Sequence, residues 1–155
     1  MLDPSSRHLH VFDLALLPSP RDPGLLQIAA VRLDVHRDLH EAASFVRAVG
    51  SAADGGVPLG DALRAFARFV GDDGALLSWG DEGGWLEESC LRAGLPCLVD
   101  PLRFADVAPV LRKGIGAGEH APLPTVVDPS LPHDALHEAR ALARTLRWLH
   151  ARGLF

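Results

Sequence analysis

The sequence predicts an α/β fold, a mixed central sheet of about five strands flanked by helices. Three observations carry that expectation. Three β-type segments open the chain one after another, short apolar runs then alternate with amphipathic stretches of helical period, and the breaks between them are rich in Gly and Pro. At 155 residues, 48% of them hydrophobic, one domain is expected, able to bury roughly 70% of the surface its unfolded form exposes.

The elements follow in order. HLHVFDLALL (8–17) is a β-branched and aromatic run closed by PSPRDPG, whose prolines stop any regular element. LLQIAAVRLDV (25–35) alternates late, and 42–49 repeats the pattern more weakly, so an antiparallel meander is expected. After GSAADGGVPLG, the stretch DALRAFARFV (61–70) sets Ala62, Leu63, Phe66, Phe69 and Val70 on one helical face, with Arg64 and Arg68 opposite. ALLSW (75–79) reads as a buried central strand, and 85–93 as a helix ended by Gly94 with Pro96 beyond. Further expectations are a strand over 97–99, a helix over 103–113 and a long loop over 114–132 with a weak TVV strand signal. A final helix is expected from Pro132 or His133 to about Arg152, lined by Ala135, Ala139, Leu142, Ala143, Leu146 and Leu149. The order is β-β-β-α-β-α-β-α-loop-α.

No apolar run approaches the roughly 20 residues of a membrane span, and MLDPSSRHLH lacks the regions of a secretory signal, so a cytoplasmic protein without membrane contact is expected. Cys90 and Cys97 are too few for a disulfide framework or a four-thiolate zinc site, and read as core thiols. A net charge of −5 argues against a broadly basic nucleic-acid surface, though not against a local basic groove or metal-mediated phosphate contact. GIGAGEH follows a helix and precedes no clear one, so its glycines are not a nucleotide fingerprint.

Three places carry acids where acids are unusual. Asp13 lies inside the first strand between Phe12 and Leu14, where a carboxylate is costly unless it is hydrogen-bonded, paired or metal-bound. SWGDEGGW delivers Asp81 and Glu82 at the C-terminal end of a central strand, the edge at which open α/β sheets gather ligands; both also suit a helix N-terminus. PHDALHEARALA (132–143) sets His133, His137 and Glu138 at the start of the last helix. On one continuous helix His133 and His137 share a face, whereas His133 and Glu138 are separated by about 140° and could only flank a target from two sides. No third ligand accompanies the HxxxH pair, which leaves His137 a surface histidine, and His133 alone reads as an N-cap-region residue. Trp79 and Trp85 fit core packing or base stacking. Arg140, Arg144 and Arg147 fit a solvated helix side or a phosphate contact.

In this order, the Asp within FDL, the SWG strand followed by acids and then Cys, a strand ending in Asp, and the late H-x-A-x-x-acid-A helix resemble the DEDDh exonucleases, the DnaQ-like or RNase T group. The resemblance runs from Leu9 to about Leu149. It implies an RNase H-like (exonuclease) fold, removal of nucleotides from 3′ ends, and two divalent metals, Mg²⁺ or Mn²⁺, held by four carboxylates with a histidine as general base. Two cations about 4 Å apart need clustered carboxylates to neutralise and clamp them. Carried over, Asp13 is the first aspartate of D-x-E, but the glutamate position is Ala15. His133 is the base, followed two positions on by Ala135, and Glu138 stands where an aspartate is usual. The aspartate of W-G-x-x-D falls on Gly83, so Asp81 or Glu82 replaces it only if the loop is shifted; the run from Gly80 to Cys90 is one residue short.

The resemblance therefore implies an exonuclease with an eroded acidic site, impaired or inactive, acting on single-stranded nucleic acid. The competing readings are a non-catalytic protein-interaction or nucleic-acid-binding module on the same fold, and a nuclease in which Asp81 or Glu82 and Glu138 rebuild a one-metal site. A protein partner or a homodimer is open on either view.

Overall fold

The computed structural model describes residues 5–16, 24–116 and 134–154. The described residues form one mixed sheet, as expected from the sequence, whose strands lie in the order His40–Ala48, Leu25–Asp34, His8–Leu16, Leu76–Ser78, Phe104–Asp106. β1 (His8–Leu16), β2 (Leu25–Asp34) and β3 (His40–Ala48) form the antiparallel meander, with Asp13 opposite Ala29 and Ala15 opposite Gln27. β4 (Leu76–Ser78) and β5 (Phe104–Asp106) add on parallel to β1.

β1 is buried on both faces, and its period of two assigns each residue to one of two cores. Phe12 and Leu14 pack with Phe66, Leu63 and Leu86 from α1 (Leu59–Val70) and α2 (Glu82–Arg92). Leu9 and Val11 face the other way, against Leu142, Leu146 and Leu149 of α4 (Ala135–His150) and Leu111 of α3 (Ala108–Gly114). α4 thus lies across the centre of one sheet face and α1 and α2 on the other. Among the described residues no helix is long and apolar enough to cross a membrane.

Several expectations shift. α2 begins at Glu82, three residues before the expected start, because the Asp81 side chain accepts from the Gly84 N–H at 3.2 Å. Its end is as expected: Gly94 takes φ +67°, and the Gly94 and Leu95 N–H groups return to the carbonyls of Leu91 and Cys90 in a Schellman closure. The strand expected over 97–99 is not formed; the fifth strand is Phe104–Asp106, inside the stretch read as helix, which shortens that helix to Ala108–Gly114. Arg103 explains the difference. Its guanidinium binds the carbonyls of Gly74 at 2.8 Å, Asp73 at 2.7 Å and Val70 at 3.1 Å, together with that of Gly71, and so anchors the residue before β5 to the turn that leads into β4. The loop after β1 and the segment holding the TVV signal lie outside the described residues.

α4 begins at Ala135, not at Pro132 or His133. Asp134 is its N-cap, extended at φ −128°, ψ 113°, with its carboxylate accepting the Leu136 N–H at 2.9 Å and the His137 N–H at 3.4 Å. The shared helical face expected for His133 and His137 requires helical backbone that residue 134 does not have.

Candidate active site

β1 outruns β4. Their pairing covers only His10 with Leu76 and Val11 with Leu77, so the backbone at Leu14 projects past the end of the neighbouring strand. Its N–H hydrogen-bonds to the carboxyl groups of both Asp13 and Glu82. Asp13 shares the α4-facing side of β1 with Val11 and Ala15, which is the side from which Glu138 on α4 reaches it.

Glu82 arrives from the opposite element. The turn after β4 is set by Gly80 at φ +97°, whose N–H donates to Asp106 Oδ1 at 2.8 Å and whose carbonyl accepts from Ser78 Oγ at 2.9 Å. Asp81 then caps α2, and Glu82 is the first residue of the helix. Gly83 faces β5: a Cβ there would lie 2.7 Å from Phe104 Cγ. Successive helix positions differ by about 100°, so with residue 83 turned onto Phe104 it is residue 82 that faces Asp13. Asp81 is an exposed cap, whereas Glu82 is the acid whose charge bears on Asp13.

The carboxyl groups perturb one another. Asp13 is pushed up to about 8, first by burial and then by the neighbouring Glu82 and Glu138, against the lowering effect of the Leu14 N–H. Glu82 is pushed up to about 7 by burial, opposed by the Leu14 N–H and reinforced by Asp81 and Asp106. At neutral pH Asp13 therefore holds a proton and Glu82 is near its midpoint. Glu82 Oε2 is buried with no hydrogen-bond partner among the described residues, as is His137 Nε2. Partly buried acids that repel one another's charge suit a hard cation, and oxygen donors suit Mg²⁺ or Mn²⁺. As the side chains stand, the described residues contain no group of three or more His, Cys, Asp or Glu already arranged to hold a metal ion.

At the position of the missing glutamate, Ala15 is packed against Ala29 and Ala135, with Leu136 alongside. A residue that sequence reasoning missed holds this packing in place. Gln27, opposite Ala15, accepts the Ala135 N–H through Oε1 at 2.8 Å, and so fixes the start of α4 to the sheet. Nothing in the local sequence marks Gln27, because its partner is 108 positions away. Asp106, which ties the turn at Gly80 to α3 by also accepting the Ala108 N–H at 2.9 Å, fell inside the stretch expected as helix and was not singled out.

Of the residues singled out from the sequence, Glu82 and Glu138 each lie near enough to Asp13 to raise its carboxyl, while Asp81 caps α2. His133 lies outside the described residues. Trp79 is half-buried with the Arg112 guanidinium 5.0 Å from its ring, so it packs, whereas Trp85 is partly exposed.

No family model matches the sequence, and no curated protein matches it. Solved structures do match in fold. The crystal structure of a full-length 3′-exonuclease superposes with a TM-score of 0.76 at 13% identity, covering 96% of this chain and 83% of that one. Escherichia coli exonuclease I in complex with a 5cy-dA13 oligonucleotide gives 0.64 at 13% identity over 94% of this chain and 41% of that one. Exonuclease I in complex with the inhibitor BCBP gives 0.64 at 13% identity over 96% and 42%. This chain thus spans about two fifths of the exonuclease I chains and most of the first neighbour. It has the α/β fold of the 3′-exonucleases.

Proposed function

We propose that this chain is a 3′–5′ exonuclease-type domain of the DEDDh kind, whose acidic centre is reduced to Asp13, Glu82 and Glu138. Glu82 takes the part of the aspartate that the family carries at the position of Gly83. The observation behind this reading is that Glu82 of α2 and Glu138 of α4 both act on the buried Asp13 carboxyl of β1, in a sheet with the exonuclease fold. Together they would hold one Mg²⁺ or Mn²⁺, which when bound neutralises phosphate charge and lowers the pKa of water. The chain's own residues do the rest: the Leu14 N–H orients the Asp13 and Glu82 carboxylates, and His133, by resemblance, takes the proton of the attacking water.

With Ala15 in place of a carboxylate, a second cation lacks a ligand. Losing such a ligand or misplacing the reacting groups by about 1 Å costs on the order of 10²-fold in rate, so hydrolysis is impaired or lost. Single-stranded nucleic acid is the substrate class the fold supports.

Mn²⁺ titration followed by electron paramagnetic resonance, run beside trimming of a 5′-labelled single-stranded oligonucleotide, tests the reading. One bound Mn²⁺ that Asp13→Asn abolishes is expected, with slow trimming or none; any trimming must disappear in His133→Ala. Failure to bind Mn²⁺ would overturn it in favour of a second reading, a non-catalytic nucleic-acid-binding module. The observation favouring that second reading is the close hydrocarbon packing of Ala15, Ala29 and Ala135 where a ligand would stand.

A further inference from the structure

The arginines of α4 do more than line a solvated helix side. An open cleft between the C-terminal end of α4 and the start of β3 is lined by Arg144, Arg147, Arg152, His40, His150 and Trp148, with Asp38 the one carboxylate among its described walls. The tertiary fold assembles it: His40 begins β3, about 100 positions before the helix residues it faces. Three guanidiniums face one carboxylate there, in a chain whose net charge is −5, so the positive potential is local. Arg140, one turn nearer the acidic centre, is held by Glu41 at 2.9 Å and does not join it.

Trp148 supplies the second half of the argument. It is 47% exposed, an unusual place for an indole, and the Arg152 guanidinium stacks on its ring at 3.8 Å. A flat aromatic surface bordered by fork-shaped cations offers stacking to a base and paired donors to a phosphate, which is the chemistry of sequence-tolerant single-strand binding. The cleft stands roughly 15 Å along the helix from Glu138, at about 1.5 Å rise per residue, and on the β3 side of α4. It is therefore separate from the acidic centre.

We propose that this cleft is a single-stranded nucleic-acid binding surface, in which Arg144, Arg147 and Arg152 take the phosphate backbone and Trp148 stacks a base. The inference rests on nucleic acid being this protein's ligand class, but not on metal binding or catalysis. It is tested in EDTA with the full chain, by fluorescence anisotropy of labelled dT and rU oligonucleotides of about 15 nucleotides, long enough to span such a site. Both strands are expected to bind. Trp148→Ala should weaken binding about 5- to 150-fold, the range of one base-aromatic stack, and Trp148→Phe should recover most of it. Arg144→Gln with Arg147→Gln should lower the slope of log K against log salt by about 1.4, about 0.7 for each phosphate no longer neutralised. Arg92→Gln, at a surface arginine of α2 paired with Glu88 and outside both sites, should leave binding unchanged.

Oligonucleotide binding that ignores the Trp148 and arginine substitutions would overturn the cleft while leaving the nuclease reading standing. A poly-glutamate peptide binding as tightly as the oligonucleotides would also overturn it, pointing to an acidic protein partner. Absence of oligonucleotide binding in EDTA would overturn the cleft, and absence with Mn²⁺ present as well would overturn the nuclease reading with it. Equal weakening in Arg92→Gln would overturn the cleft as well, since any surface arginine would then serve. All the substituted side chains of the cleft are at the surface, and an unchanged Tm confirms that each variant is folded.

Discussion

Replacing Asp13 by Asn tests the acidic centre without reference to activity. Asn keeps the shape and cannot ionise. In the folded chain Asp13 is raised from 3.8 to about 8, so between those values the native state holds a proton that the unfolded chain has released. Stability from this group is fully present below about pH 4 and is lost as pH rises through 8. Buried His10, lowered to about 3 by burial and then by the neighbouring Arg32, Arg103 and His8, acts oppositely, and its contribution is lost as pH falls below 6.5. Above pH 6.5 only the last ~0.4 kcal/mol of the His10 contribution is still being gained, against a larger fall from the acids. Between pH 6.5 and 8, Asp13 contributes a fall of ~1.5 kcal/mol and Glu82, raised to about 7, somewhat under 1 kcal/mol, since one proton held by the native state alone costs about 1.36 kcal/mol for each pH increment of one. For a chain of this size the sum of about 2 kcal/mol lowers Tm by roughly 4–8 °C. Thermal unfolding by circular dichroism in EDTA, at about pH 6.5, 7.25 and 8, measures it. Asp13→Asn should remove more than half of the slope and be the more stable protein at the alkaline end; Mn²⁺ should then restore the wild type and not the variant. Parallel curves for the two proteins would refute the buried, mutually repelling arrangement.

Other substitutions separate the parts of the site. Asp81→Ala should cost about 1 kcal/mol, as expected for an N-cap, and leave Mn²⁺ affinity unchanged, whereas Glu82→Ala should abolish Mn²⁺ binding; calorimetry distinguishes the two. Gly83→Asp, which restores the family residue in sequence, should lower stability in urea unfolding and bring no gain in Mn²⁺ affinity, because its Cβ meets the Phe104 ring. Ala15→Glu should cost about 1–3 kcal/mol in EDTA by overfilling the space beside Ala29 and Ala135, with part of that loss recovered by Mn²⁺; a variant as stable as wild type in EDTA would mean that the packing there is loose. Gln27→Ala should cost about 1–3 kcal/mol by leaving the Ala135 N–H without its acceptor, read as a lowered Tm.

Much of this protein is written locally. The alternation in β1 and β2, the helical stripe of α1, the glycine that closes α2 and the apolar face of α4 each arise from periods and backbone preferences that act over a few residues, and each is where the sequence put it. An acid inside the first strand was likewise visible as an anomaly, because burial of a carboxylate is costly wherever it occurs.

What only the tertiary structure decided are matters of direction and long-range partnership. Arg103 fixes the turn ahead of β4 and so places β5 after itself, where helical periodicity had suggested otherwise. Phe104 takes the space in front of Gly83, so that no side chain fits there, while Asp81 caps the helix and Glu82 bears on Asp13. Gln27 reaches the first turn of α4 across 108 positions, and His40 closes the arginine cleft from the far end of the sheet. One residue of rotation on a helix, or one hydrogen bond between distant segments, selects which acid faces which. Sequence period fixes the faces of each element, but their mutual aim depends on interactions that exist only once the chain has folded.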